Sequence, residues 1–544
     1  MMARNTNDGN QHRDNYLNYL WLVGMVLYVP FVAMFLNFPI FAGRSYIIQL
    51  VWSVLLLLFY LIFPKKPVYR TVASVLFVDG LLNLIHWIIL RAPVTAASVF
   101  VLLNTNFSEA TEFMSLKLTP RFLLLIPYII VFVIALKHVP PISFKTKTEK
   151  WTWSVLAIAA LAFLGENIVN QRFLRKAATE TTRGFVSFFQ EAKSYKTLKK
   201  KTFHPVEASL PADNDSSLVV LILGESSNRS HFSLYGYERE TTPRLKKRTD
   251  ILTFTDVITP YGNTMTSVLH ALMETNMDNN IAIDTSIHIF DVFRAAQFKT
   301  YWISNQSPVG IWDNAVFNLA QLADVGVFIN NNANSSFEST LVSSYDENLF
   351  QPLAKTLATD NAPHKFIVLH LMGCHTQYSK RYPSGFKVFQ TSSNLKEKTT
   401  NEYDNAVVYT DFIIDSVFNI MAKYSESHPH TQVSCLYLSD HGENVFDNGS
   451  DYAGHEYSST IPHSILEVPF ILWLSEAKIA ALGEDYQHIL NQLNKPYMSD
   501  DLFFFLIDLA NIQSPYRVKE RSLISPEYNA NRVRNISDGT VYDE

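Results

Sequence analysis

A glutamate stands directly after six apolar residues: Leu218-Val-Val-Leu-Ile-Leu223 runs into Gly224-Glu225-Ser226-Ser227. A carboxylate beside a glycine at the end of a buried strand can serve as a metal ligand or simply cap the next helix, and the residues alone leave both open. A second run, Val433-Ser-Cys-Leu-Tyr-Leu438, ends in Ser439-Asp440-His441-Gly442-Glu443-Asn444. Adjacent Asp and His reach one cation when the turn is sharp, and carboxylate oxygen with imidazole nitrogen suits zinc or manganese. A third run, Phe366–Leu371, leads to Met372-Gly373-Cys374-His375, and Gly454-His455-Glu456 and His463 come later. The nucleophile is open among Thr264, Thr266 and Ser267 in Tyr261-Gly-Asn-Thr-Met-Thr-Ser-Val-Leu-His270, a hydroxyl-rich stretch opening an apolar helical segment. A helix N-terminus holds an anion through its free N–H groups. A metal-bound threonine alkoxide is a competent nucleophile, although the same hydroxyls also serve as plain caps.

These groups need a scaffold that brings strand ends together. From Ser217 on, short apolar runs (Leu218–Leu223, Thr300–Ser304, Phe366–Leu371, Val433–Leu438, Val468–Leu474) alternate with helical periodicity at Asn314–Leu322, Asn405–Ala422 and Asp500–Leu509. That alternation predicts a mainly parallel α/β sheet covered on both faces, with ligands at the carboxyl ends of its strands. Glu225, His375, Asp440, His441 and His455 then converge at one end of one sheet.

The first third has a different texture. Residues 1–170 hold 13 of the 45 Lys/Arg but only 7 of the 50 Asp/Glu, so the remainder is acidic. At 48% hydrophobic and 17% charged, the chain is neither disordered nor collagen-like, and its two cysteines, Cys374 and Cys435, exclude a disulfide scaffold and read as buried free thiols. Five apolar stretches, Tyr16–Leu36, Tyr46–Phe63, Val72–Leu90, Phe122–Leu136 and Trp151–Ile168, predict an α-helical membrane domain of five transmembrane helices. Lys/Arg are denser in the N-terminal tail and the second and fourth loops, so the N-terminus is expected in the cytoplasm and everything beyond residue 170 outside. Arg172, Arg175, Lys176 and Arg183, followed by Phe185, Phe188 and Phe189 and a further lysine group, read as a helix lying on the membrane surface. The expected organisation is a membrane domain at 1–169, a basic amphipathic connector at 170–205 and a catalytic domain at 206–544. A nucleic-acid partner is not expected.

Five spans, a basic connector, then Gly-Glu-Ser-Ser, His-Phe-Ser-Leu-Tyr-Gly-Tyr, Thr-Thr-Pro, Gly-Asn-Thr, Ser-Asn-Gln, Met-Gly-Cys-His, Tyr-Asp-Asn-Ala-Val-Val-Tyr-Thr-Asp and Ser-Asp-His-Gly-Glu-Asn resemble the bacterial phosphoethanolamine transferases, members of the alkaline-phosphatase-like, sulfatase-like superfamily. The resemblance implies a multi-pass inner-membrane protein with a periplasmic catalytic domain. It implies zinc held by Glu225, Thr264, Asp440 and His441, with Thr264 also the nucleophile because Ser267-Val268 follows three residues later. His375 and His455 are implied to hold a second metal, or the phosphoryl oxygens and leaving group; His463 competes with His455 because Val445–Ala453 shifts the spacing. Asn305 is implied in phosphoethanolamine binding. The lysine that some members carry four residues later is Val309 here, which points away from the lipid A phosphate and towards a sugar hydroxyl or core oligosaccharide of lipopolysaccharide as acceptor. The implied reaction moves phosphoethanolamine from phosphatidylethanolamine to that envelope glycolipid through a covalent threonine intermediate.

Two rivals stand beside this reading: a lipoteichoic-acid-synthase-like glycerol-phosphate transferase, and a catalytically silent membrane-anchored binding protein. A formylglycine sulfatase is excluded, since neither Cys374-His-Thr-Gln-Tyr nor Cys435-Leu-Tyr-Leu-Ser fits the Cys/Ser-x-Pro-x-Arg pattern.

Overall fold

The computed structural model describes residues 66–90, 120–137, 146–169, 206–306 except 213, 315–329, 344–455 except 451, and 460–542, with isolated residues elsewhere. The chain forms two compact units, residues 1–103 with 109–191, and residues 192–544 with 104–108.

The first unit contains helices α1 (Lys66–Leu90), α2 (Leu125–Lys137) and α3 (Lys147–Val169). They coincide with the third, fourth and fifth apolar stretches; Val309 lies outside the described residues, and the first two stretches and the connector are described only at scattered positions, in the connector 178, 179, 181, 182, 184–186 and 189. Among the described residues no helix is long and apolar enough to cross a membrane. Lys66, Arg70 and Asp79 in α1, and Lys147, Glu149, Lys150 and Glu166 in α3, dilute their apolar runs. The unit nevertheless has its own core of Val32, Leu84, Trp87 and Tyr128.

The second unit is built on seven strands: β1 (Ser217–Gly224), β2 (Ile251–Phe254), β3 (Lys299–Ser304), β4 (Val325–Phe328), β5 (His364–His370), β6 (Gln432–Ser439) and β7 (Phe470–Leu474). Their order across the sheet is β2-β7-β6-β1-β5-β3-β4. The five strands from β6 to β4 pair in parallel, while β7 runs antiparallel to both β6 and β2. The expected mainly parallel sheet is therefore present, with an antiparallel strand set into one side. β1 lies at its centre with all eight residues buried, which is why it reads as one continuous apolar run rather than an alternating one.

The helices that matter for the site are α4 (Thr264–Leu272), α5 (Ala315–Ala320), α6 (Leu395–Ser427) and α7 (Leu502–Leu509). Asn394 starts α6 by accepting the N–H groups of Lys396 and Glu397, and the helix then lays Tyr403, Ala406, Val407, Ile413, Ile414, Val417, Phe418 and Met421 into the core against β1 and its neighbours. Asn263 starts α4 by accepting the Thr266 N–H at 3.0 Å, which makes Thr264 the first helical residue.

Candidate active site

The Asp440 N–H donates to Gly224 O at 3.2 Å, so the turns after β1 and β6 meet. Thr264 Oγ1, at the head of α4, lies 3.2 Å from each Glu225 carboxylate oxygen and 3.3 Å from His441 Nε2. His441 Nε2 is 3.3 Å from Glu225 Oε1 and 3.5 Å from Asp440 Oδ2. The other two hydroxyl candidates do not share this position in what is observed: Ser267 is buried and bonded to Tyr261 O and Thr259 Oγ1, and the Thr266 backbone N–H is taken by the Asn263 cap.

This set of atoms fits one tetrahedral cation. Zinc–ligand bonds of about 2.0–2.2 Å put neighbouring ligands ~3.4 Å apart in a tetrahedron. Asp440 Oδ2 is buried with no hydrogen-bond partner among the described residues, an orphan that a cation would satisfy. His441 Nδ1 is held by Gly442 O at 2.7 Å, which leaves Nε2 as the coordinating nitrogen. Burial acts to raise the Glu225 carboxyl, but the bond and charge of His441 outweigh it and hold it below the usual range. Burial and the Glu225 charge push Asp440 up to about 7. Burial acts to lower His441, yet Asp440 and Glu225 push it up to about 10. The protons of the cluster therefore sit on His441 and, in part, on Asp440, where a cation would replace them.

The turn after Glu225 is strained to suit. Ser226 has φ 53°, a left-handed conformation for a residue with a side chain, and its N–H donates to Asp440 Oδ1 at 3.1 Å. Gly373, at φ 52°, passes so close beneath that a Cβ there would lie 2.6 Å from Glu225 O and 2.9 Å from Glu225 N. Gly373→Ala therefore displaces the Glu225 turn; zinc affinity and turnover both fall by at least tenfold, about 1.4 kcal/mol, measured by calorimetric titration beside a transfer assay.

The histidines sort themselves out. His455 stands beside His441, with ring centroids 4.7 Å apart, and lies 6.4 Å from His375. His463 instead has its Nδ1 3.8 Å from Glu467 Oε1 and packs on Tyr542. Burial lowers His375 to about 4, so it is a neutral imidazole at ordinary pH. Asn305 is brought near the cluster's supports but not as a free amide: its Nδ2 donates to Ser344 O at 3.1 Å and Asp346 Oδ1 at 2.8 Å, and its Oδ1 accepts from Ser344 Oγ. Asp346 in turn accepts the Met372 and Gly373 N–H groups. In this arrangement Asn305 braces the turn before His375.

Two site residues escaped sequence reasoning. Gln306 Nε2 donates to Glu225 Oε2 at 2.9 Å and to Leu371 O at 3.0 Å. Glu443 accepts the Tyr378 hydroxyl at 2.6 Å on one oxygen and holds His455 Nδ1 at 2.9 Å with the other. Both lie inside motifs already singled out, one residue after Asn305 and two after His441, so the signal was position within the string.

The remaining motifs are bracing. Tyr403 donates to Ser226 O and accepts the Asn228 N–H, both at 2.8 Å, which pins the loop after Glu225 to α6. Asp404 takes His231 Nδ1 at 2.6 Å, the Tyr237 hydroxyl at 3.1 Å and Arg239 at 2.6 Å. His231 Nε2 reaches Asp447 at 3.1 Å. Burial acts to lower the His231 pKa, but its bonds to Asp404 and Asp447 prevail and push it up to about 9. Its stabilisation is then fully present below about pH 6.5 and lost as pH rises through 9, for a total on the order of 3 kcal/mol. The thermal midpoint of the wild type should fall between pH 7 and 9.5 more steeply than that of His231→Gln; equal slopes would contradict the buried imidazolium.

A sulfatase family model matches residues 217–512, more than half of the chain. The chain belongs to the sulfatase family. Membership names the fold, since the formylglycine pattern of sulfatases is missing from the sequence. The chain is 26% identical to phosphoethanolamine transferase EptC of Escherichia coli K12 over 515 residues, 88% of this chain and 86% of that protein. It superposes on the crystal structure of the periplasmic domain of E. coli EptC in complex with zinc with TM-score 0.52 and 27% identity, over 60% of this chain and 91% of that domain. It also shares the fold of the integral membrane protein lipooligosaccharide phosphoethanolamine transferase A from Neisseria meningitidis, with TM-score 0.65 and 20% identity over 94% of this chain and 97% of that one. The resemblance read from the motifs thus extends along most of the chain.

Proposed function

We propose that this protein transfers phosphoethanolamine from phosphatidylethanolamine to an envelope glycolipid, the lipopolysaccharide core or lipid A, through a phosphoethanolamine–Thr264 intermediate. The observation that carries the reading is the set Glu225, Thr264, Asp440 and His441, whose donor atoms stand 3.2–3.5 Å apart along their measured edges. These four residues would hold zinc. When bound, zinc supplies a Lewis acid that lowers the hydroxyl pKa and offsets phosphoryl charge.

The chain's own groups do the rest. Thr264 Oγ1 attacks phosphorus; a bond from Oγ1 to phosphorus forms as the bond from phosphorus to the diacylglycerol oxygen breaks, and the proton lost by the Thr264 hydroxyl is balanced by the one the departing oxygen takes up, so diacylglycerol leaves as the neutral alcohol. The nearest acceptors for the departing hydroxyl proton are the Glu225 oxygens, 3.2 Å away. His375 and His455 face the phosphoryl oxygens and the leaving group, with His455 oriented by Glu443. An acceptor oxygen then displaces Thr264, which makes the kinetics ping-pong. In this reading the first unit lies in the bacterial inner membrane as five spans, with the N-terminus in the cytoplasm and residues 206–544 in the periplasm. Anchoring the site beside its lipid donor raises local concentration.

The test uses the full chain reconstituted with lipopolysaccharide and phosphatidylethanolamine labelled in its headgroup. Diacylglycerol release and label on the glycolipid are expected, with fragment masses separating core from lipid A. Transfer of glycerol phosphate from phosphatidylglycerol would overturn the reading in favour of a synthase-like enzyme.

A further inference from the structure

Asp79, Asn83 and Trp87 follow one another at four-residue intervals on α1, so their side chains form a stripe with steps of about 6 Å along the helix. Asn83 and Trp87 are 3% and 2% exposed. Part of the stripe is satisfied internally. Asp79 Oδ1 accepts the Thr179 hydroxyl at 2.6 Å, and Asn83 Nδ2 donates to Asp79 O at 3.0 Å and to Thr181 Oγ1 at 2.5 Å. Three buried atoms remain without a hydrogen-bond partner among the described residues: Asp79 Oδ2, Asn83 Oδ1 and Trp87 Nε1. Buried polar atoms are normally paired, and an ionisable residue within an apolar helix is expensive unless something polar meets it.

The chemistry of the three atoms is specific. Two are acceptors, one of them a carboxyl oxygen, and about one helical turn beyond the second stands a donor. A primary ammonium offers three N–H donors to a carboxylate and an amide oxygen, and a phosphate oxygen accepts an indole N–H. One small group carries both, with the ammonium and the phosphate separated by two carbons. We propose that Asp79, Asn83 and Trp87 form a holding site for the headgroup of an ethanolamine phospholipid, apart from the residues that carry out transfer. A choline headgroup lacks the N–H donors and a glycerol headgroup lacks the cation, so both are disfavoured. That this lipid is also the donor rests on the function proposed above; that the stripe recognises a primary-amine phospholipid does not.

The experiment uses the full-length Thr264→Ala chain, which leaves lipid intact, stripped of zinc to silence the catalytic cluster. Native mass spectrometry compares retention of short-chain phosphatidylethanolamine, phosphatidylcholine and phosphatidylglycerol. At least tenfold preference for the ethanolamine lipid is expected, abolished by Asp79→Asn and weakened by Trp87→Phe, which keeps the ring and removes the donor. Equal retention of the ethanolamine and choline lipids overturns the proposal even if Asp79→Asn fails to fold, and so does a folded Asp79→Asn chain that keeps the preference. A chain that shows the preference, yet whose wild type releases no diacylglycerol from phosphatidylethanolamine, fails the proposed function and leaves the headgroup site standing.

Discussion

Thr264→Ala abolishes transfer, by roughly 10⁴-fold or more, the scale on which removal of a covalent nucleophile acts. The fold should survive. The hydroxyl's observed partners are Glu225 and His441, and the helix start depends on the Asn263 cap. Thermal midpoints of wild type and variant should therefore agree, while headgroup release from labelled phosphatidylethanolamine disappears. Thr264→Ser keeps a hydroxyl at the first helical position and should keep part of the rate. An alanine variant that retains more than about a hundredth of wild-type turnover would remove Thr264 from the chemistry.

Asp440→Asn and His441→Ala lose zinc and turnover together. Each removes one of the facing donor atoms, and Asp440 Oδ2 has no other partner among the described residues. Proton release gives the effect a signature. Without the cation, His441 is pushed up to about 10 and Asp440 to about 7, so binding displaces a proton from His441 across the neutral range and a second from Asp440 below pH 7. Zinc affinity should thus rise about tenfold per pH unit from 7 to 9 and more steeply below 7. Calorimetric titrations at several pH values check this; an affinity independent of pH would contradict the protonated cluster.

Most of the site's first layer was legible because central parallel strands bury both faces and read as unbroken apolar runs. Their ends are then marked by Gly224-Glu225 and Asp440-His441-Gly442; a Cβ at Gly224 would run into the Tyr437 ring, and one at Gly442 into the backbone oxygens of Ser464, Ile465 and Glu467. The edge strands Ile251–Phe254 and Val325–Phe328 were not legible, since both are short and only partly buried. Nor was the commitment of Asn305, whose partners Ser344 and Asp346 lie 39 and 41 residues away and meet it only through folding. The residues alone left Thr264, Thr266 and Ser267 open; the resemblance chose Thr264, and the fold sets its hydroxyl 3.2 Å from the Glu225 carboxylate. His455 and His463 could not be separated by spacing, because what distinguishes them is tertiary, Glu443 and His441 beside one and Glu467 and Tyr542 beside the other.

The most direct test is to find the transferred group on the chain itself. Wild-type protein, loaded with zinc and incubated with phosphatidylethanolamine in the absence of acceptor, should be digested and its peptides fragmented by mass spectrometry. One phosphoethanolamine group is expected on the peptide containing Thr264, located on Thr264 and discharged when acceptor glycolipid is added. An adduct on Thr266 or Ser267, or diacylglycerol release with no adduct under conditions where the intermediate is trapped, would contradict the account.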